Sequence, residues 1–318
     1  MKQTNITSTI LMVRPVAFDA NEETMDSNAF QEERTDESAK QVQSKAVREF
    51  DAFVDKLRIY GIEVIVFDDR LQPRTPDSIF PNNWISFHNN GRVMTYPMQA
   101  ISRRLERRTD IIESLQQEYG FEVTQVIDMG PLYEAEDRFL EGTGSLIIDR
   151  NDRYVYACIS PRTHRELVED WAEYWGFEAI IFEALDEQGQ QIYHTNVLMC
   201  LGDAFVVICM EAIRDASERK QVEESFESSE RTVVEISFDQ MNHFAGNMLQ
   251  LQNEQSEKIL VMSQAAYDSL SSEQIEILQG FNDHLVSSPI PTIEKYGGGS
   301  VRCMMAEVFL PKKINQHA

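Results

Sequence analysis

The chain has 318 residues but only four cysteines, Cys158, Cys200, Cys209 and Cys303, and no two stand at CxxC spacing. That argues against a zinc site and a disulfide framework, and suggests a reducing, cytoplasmic setting. Cys200 and Cys209 sit in apolar strand-like runs, where a buried free thiol is expected. Long apolar runs are missing too. The opening MKQTNITSTILMVRPV holds too short an apolar run for a signal core, and nothing elsewhere approaches the roughly 18 apolar residues of a membrane span. Positive charge is scarce: 29 Lys and Arg stand against 53 Asp and Glu, a net charge of −24. A field of that sign disfavours nucleic acid and anionic membranes as partners, and it leaves room for cationic or zwitterionic small molecules.

What is present is a globular composition, 42% hydrophobic and 26% charged, with a rhythm. Five polar or glycine-rich points recur: FPNNW at 80–84, LEGTGS at 140–145, YHTN at 193–196, MNHFAGN at 241–247 and GGGSVRC at 297–303. From Asn83 to Glu141 is 58 residues, then 53 to His194, 49 to His243 and 60 to Cys303. After four of them come two apolar runs bounded by a turn signal, a hairpin pattern, with Asn89-Asn90-Gly91 the clearest. A helix follows each hairpin. Leu167, Trp171, Tyr174 and Trp175 keep one face, as do Leu105, Ile112, Leu115 and Tyr119, and Val47, Phe50, Val54 and Leu57 do the same near the N-terminus. A further strand then follows in several cases. The pattern predicts an α/β chain of five ββαβ units. One such unit cannot bury its small sheet alone, so the expectation is a single radial domain over 1–318 with the five points converging at one end of its axis. An open α/β sheet in two halves is the rival.

Convergence would place Cys303, His194 and Glu141 together. A thiolate is an attacking species, an imidazole manages its proton, and a carboxylate orients the imidazole. Taken singly, Cys303 reads as a core residue opening a last strand, the histidines as structural, and EGTGS as a turn; the periodic placement of all three is what points to chemistry.

KYGGGSVRCM, LEGTGS, the His-x-Asn after it, and TPDSIFPNNW together resemble the pentein superfamily of guanidino-group-modifying enzymes. Within it the citrulline-utilisation hydrolase group is nearest. The resemblance runs over about 75–310, with MVRPVAFD adding a strand. It implies a five-bladed α/β propeller with pseudo-fivefold symmetry, Cys303 as nucleophile, His194 as general acid/base and Glu141 as its partner carboxylate. It implies no cofactor and no metal, and a small guanidino or ureido amino acid as ligand. Substrate contacts are expected from Phe80, Asn82, Asn83, Asn196, His243 and Arg302, with Arg138, Arg162 and Arg302 the candidates for a substrate carboxylate.

Asn82, Asn83 and Asn196 stand where relatives carry acidic residues. A guanidinium has donors only and wants carboxylates. A ureido group adds a carbonyl acceptor, which an amide can serve and a carboxylate cannot. The expectation is hydrolysis of citrulline to ornithine, ammonia and carbon dioxide. The alternatives are an arginine deiminase or dihydrolase, an amidinotransferase, and a non-catalytic binding module, which would need no Cys–His–Glu set. The stretch 183–230 is expected to be a solvated acidic surface. Segment 21–45 is polar enough for surface disorder, with a lid as the alternative. No oligomeric state is read from the sequence.

Overall fold

The structure is a computed structural model that describes residues 4–34 and 37–313. Its strands are β1 (Thr9–Arg14), β2 (Glu63–Asp68), β3 (Ile85–Phe87), β4 (Arg92–Thr95), β5 (Gln125–Asp128), β6 (Ile147–Asp149), β7 (Tyr154–Ile159) and β8 (Glu178–Glu183). They continue with β9 (Met199–Leu201), β10 (Phe205–Ile208), β11 (Thr232–Glu235), β12 (Leu249–Gln252), β13 (Lys258–Ser263), β14 (His284–Ser288) and β15 (Ala306–Glu307). They form five three-stranded sheets. In four of these a hairpin pairs the first two strands antiparallel, and a helical crossover returns the third parallel to the second. Parallel pairing needs a crossover of a dozen residues or so, and the predicted helices supply it. The fifth sheet joins the two ends of the chain. Strand β1 pairs antiparallel with β15, Ile10 opposite Glu307, and parallel with β2. First strands of different sheets touch: β6 with β9, β9 with β12, and β15 with β3.

The longest helix, Ala39–Ile59, starts at a capping box in which Ser38 and Gln41 satisfy each other's backbone N–H groups. Its buried face carries Phe50, Phe53, Val54 and Leu57. These pack with Ile10, Met12, Val261 and Ile293 in the same core cluster. Full burial of each phenylalanine contributes about 1.5–3 kcal/mol.

The helix expected across 103–120 is two helices, Ile101–Arg104 and Thr109–Gln117. Leu105 is 51% exposed and so holds no place on a buried face. The break between the helices coincides with Arg103 and Glu106, both buried and hydrogen-bonded to each other. In the acidic stretch, the helix Ala216–Ser228 buries Val222, Ser225 and Phe226 and leaves its glutamates mostly exposed. Among the described residues no helix is long and apolar enough to cross a membrane.

Segment 21–45 is not surface disorder in the part the structure describes, and residues 35–36 lie outside it. Asn21 caps a short helix at Glu22–Met25, Thr24 and Asn28 are buried, and 39–45 belongs to the long helix. The correction has a local cause: the polar side chains that suggested disorder bond to buried groups of the site described next.

Candidate active site

The polar points become short helical turns ahead of first strands. A 3-10 turn spans Pro81–Asn83, and single α-turns span Gly142–Ser145 and Thr195–Leu198. Glu141 and His194 sit at the N-terminal ends of the two α-turns. The chain must pass close to itself there. Gly142 has φ +49°, and a Cβ on it would stand 2.4 Å from the backbone oxygen of Asn82. The turns surround a cavity of about 10 Å3 whose lining includes Asp77, Asn83, Arg103, Arg162, His194 and Cys303.

Glu141 and His194 form a buried pair, with His194 Nε2 to Glu141 Oε2 at 2.9 Å. Burial would push the Glu141 carboxyl up, but the Arg162 guanidinium, the His194 bond and Arg103 together hold it down at about 2. Burial pushes His194 down to about 4, against the pull of Glu141. At neutral pH the imidazole is therefore neutral. Its Nε2–H donates to the carboxylate, which leaves the Nδ1 lone pair free to take a proton. Nδ1 and Asn83 Nδ2 converge over Gly144, where an added Cβ would stand 2.7 Å from the first and 2.4 Å from the second.

The depressed His194 value predicts an acid-sensitive term in stability. Its ordinary value is 6.5 and its folded value about 4. The unfolded chain therefore binds the proton first as pH drops, so the contribution is whole above 6.5 and is lost as pH falls through 4. Urea unfolding of wild type and His194→Gln across that range should show wild type losing about 1.4 kcal/mol per pH unit relative to the variant. Parallel pH curves for the two proteins would contradict the assignment.

Cys303 is 3% exposed and lies in the turn that leads to β15. Two amide donors meet its sulfur: Asn196 Nδ2 at 3.5 Å and Asn247 Nδ2 at 3.3 Å. Asn247 Oδ1 accepts the Arg302 backbone N–H at 3.0 Å, so the amide orientation is set and the Nδ2 is a donor. The helix Pro291–Gly297 leads into the glycine run, and Glu49 accepts from the backbone of Thr292 and Ile293 at its start. Gly298 ends it with φ +60°, where a Cβ would lie 2.5 Å from Asn28 Nδ2. Phe80 packs on this run: a Cβ at Gly297 would stand 2.7 Å from its ring.

The cavity also contains Arg162, one of the candidates for the substrate carboxylate, and two further charges, Arg103 and Asp77. Arg103 binds Glu106 through Nε and Nη2, both at 3.0 Å, and donates from Nη1 to Asn83 Oδ1 at 2.8 Å. Arg162 donates from Nε and Nη2 to Ser27 Oγ and from Nη2 to the Thr24 carbonyl. Asp77 accepts from Asn21 Nδ2 at 2.8 Å, and burial raises its carboxyl against the opposing pull of Arg103. Asn28 Nδ2 donates to the Gly298 carbonyl at 3.2 Å. Residues 21–28 thus lie over the cavity, bonded to its walls.

Four expected contacts are placed elsewhere. His243 is exposed at the end of the helix Phe238–Asn242, its Nδ1 beside the Asp239 carbonyl. The chain turns at Phe244, φ +62°, and Asn247 arrives at the sulfur instead. Arg302 points away from Cys303, donating to the Met305 carbonyl and to Glu307. Arg138 is at the surface, paired with Glu136. Asn82 is buried but does not line the cavity with Cys303. Among the described residues several buried polar atoms have no partner: Asp77 Oδ1, both amide atoms of Asn82, Asn83 Nδ2 and Asn196 Oδ1. Among the described residues no three His, Cys, Asp or Glu side chains are grouped to hold a metal ion.

The sequence matches the family described as N,N-dimethylarginine dimethylhydrolase, eukaryotic, over residues 14–310. No curated protein sequence matches the chain. Among solved structures, the N-terminal domain of ArgZ bound covalently to a reaction intermediate is similar, with TM-score 0.71 and 20% identity, covering 95% of this chain and 99% of that one. Whole ArgZ, an arginine dihydrolase from the ornithine–ammonia cycle in cyanobacteria, has TM-score 0.73 and 20% identity, and this chain covers 42% of its length while 98% of this chain is matched. DDAH from Pseudomonas aeruginosa complexed with citrulline has TM-score 0.65 and 17% identity, covering 95% of this chain and 99% of that one. At those identities the likeness speaks to the fold. The family match reaches further: the chain belongs to the N,N-dimethylarginine dimethylhydrolase family, within the pentein superfamily of guanidino-modifying enzymes.

Proposed function

We propose that the chain is a cysteine hydrolase that cleaves a C–N bond of a ureido amino acid, citrulline, with the five sheets arranged radially as the blades of one propeller domain. Cys303 gives its proton to His194 Nδ1 and the thiolate attacks the ureido carbon. The carbon–nitrogen bond to the side chain breaks, and the proton on His194 passes to the departing amine of ornithine. The enzyme is left with a thiocarbamoyl group on sulfur. A water that loses its proton to His194 attacks that group, sulfur leaves, and the carbamate falls to ammonia and carbon dioxide. Glu141 stabilises the imidazolium formed at each stage. Arg162 supplies the cation for the substrate's α-carboxylate, since its present hydrogen-bond acceptors, Ser27 and the Thr24 carbonyl, are neutral groups that a carboxylate outcompetes, and Glu141 stands 3.8 Å from it without a hydrogen bond.

One observation carries the ureido reading. Arg103 holds Asn83 Oδ1, so the unpartnered Asn83 Nδ2 offers a hydrogen to the cavity. A ureido carbonyl accepts it, whereas a guanidinium has no acceptor and leaves it buried and unpaired. A second reading, arginine as substrate, is favoured by the buried carboxylates Asp77 and Glu141, which suit a cation. Purified protein given citrulline, arginine or N,N-dimethylarginine separates the two. Ornithine and ammonia should form from citrulline at a kcat/KM at least about tenfold above that on arginine, a gap of about 1.4 kcal/mol. Turnover of arginine or dimethylarginine alone would sink the ureido reading.

A further inference from the structure

Five arginines are buried, and four have acceptors. Arg103 has Glu106, Arg162 has Ser27 and Thr24, Arg231 has Asp149, and Arg302 has Glu307. Arg150 is the exception. It follows β6 and is 7% exposed, and among the described residues its guanidinium makes no hydrogen bond and no ion pair. The Phe309 ring lies 4.0 Å from it and covers one face. A ring face offsets part of a charge but leaves the in-plane N–H groups unbonded. Glu307, which lines the same cavity, is the carboxylate that offsets its charge most, and it is already engaged by Arg302 at 2.8 Å. Two guanidiniums therefore share one carboxylate at this place.

Arg150 lines a cavity of about 30 Å3, together with Thr143, Ile147, Leu249, Arg302 and Glu307. None of its lining residues belongs to the cavity that holds Cys303. A water occupies roughly 10–15 Å3 of such space, so the cavity admits a halide or a one-carbon carboxylate and excludes an amino acid. Its charged lining is two arginines against one glutamate, so the cavity keeps an excess positive charge inside a chain of net charge −24. Burying a charge without a partner is costly, and an anion that enters removes the cost.

We propose that this cavity is a binding site for a small monovalent anion, held by the Arg150 guanidinium and separate from the Cys303 site. The occupant would also brace the segment that carries the sulfur. Arg302 is both a wall of this cavity and the residue before Cys303, and its backbone N–H is fixed by Asn247. Burial lowers the Arg150 pKa from the ordinary arginine value, which agrees with a charge short of compensation.

The test is thermal unfolding of the whole chain at constant ionic strength, with potassium gluconate exchanged stepwise for potassium formate. Gluconate is too large for the cavity. The wild-type midpoint should rise saturably by a few degrees. Arg150→Met should show no rise, while its midpoint in gluconate stays at or above that of wild type. An equal rise in both proteins, or none in wild type, overturns the site. Should the variant not fold, wild-type crystals soaked in bromide decide the matter. An anomalous peak within hydrogen-bond distance of the Arg150 guanidinium supports the proposal, and its absence there refutes it.

Discussion

Cys303→Ser is expected to lower turnover of the preferred substrate by about a thousandfold or more while leaving the fold intact. A serine hydroxyl is far harder to deprotonate than a thiol. The neutral His194 is a weak base at about 4, so it cannot supply the missing driving force. The fold should tolerate the change because the site is polar where it meets the sulfur. Asn196 and Asn247 donate to sulfur now and can donate to a hydroxyl oxygen instead. Steady-state ammonia release and an unfolding midpoint measured on the same preparation check both halves. Turnover within tenfold of wild type would remove Cys303 from the mechanism. Lost turnover with a lost fold would show only that the position is structural, and Cys303→Ala would then be compared for ligand-induced stabilisation.

Arg103→Met should have the largest effect on stability, about 3–5 kcal/mol. Arg103 and Glu106 have side chains exposed by 2% and 1%. Removing the cation leaves Glu106 buried without its partner, so its carboxyl, which burial already pushes up to about 8, must take up a proton there; it also frees the Asn83 amide to rotate and withdraws a positive charge that lies 3.8 Å from Glu141. The cost should fall mainly on the unpaired glutamate, so Arg103→Met combined with Glu106→Gln should recover more than half of the loss in a double-mutant cycle. Simple addition of the two single losses would mean that Arg103 acts through packing rather than charge. A decline in activity should persist in the rescued double variant, because Asn83 remains unfixed.

Much of the architecture was legible in the residues. Glycine and asparagine mark the turns for reasons of backbone geometry, and the apolar runs between them have the lengths of strands and helices, so five sheets follow from local chemistry. The placement of Glu141, His194 and Cys303 was legible for the same reason, each standing beside one of those turns. Arg103 was not. It sits in ISRRLERR, where four arginines look alike, and only the three-dimensional position of Asn83, Phe80 and Glu106 selects one. Asn247 was missed because His243 is the more reactive residue of MNHFAGN, although the chain turns it outward. Asn21, Thr24, Ser27 and Asn28 read as disorder because a polar segment has no visible reason to fold until its partners, Asp77, Arg162 and Gly298, are in place.

Those last contacts bear on how the protein would meet a ligand. The cavity of about 10 Å3 beneath residues 21–28 has no space for an amino acid, so the proposed reaction at Cys303 requires molecules in which the segment has lifted. The apparent dissociation constant is then the intrinsic one divided by the fraction of molecules that are open. An open population of about one in a hundred would weaken binding roughly a hundredfold, close to 2.8 kcal/mol. The contacts on Arg162 set a threshold as well as a delay. A molecule without a carboxylate has nothing to exchange for Ser27 and Thr24, so the segment would close again behind it before any bond is broken. Simple ureas and guanidines would be screened out by occupancy, ahead of any difference in reactivity.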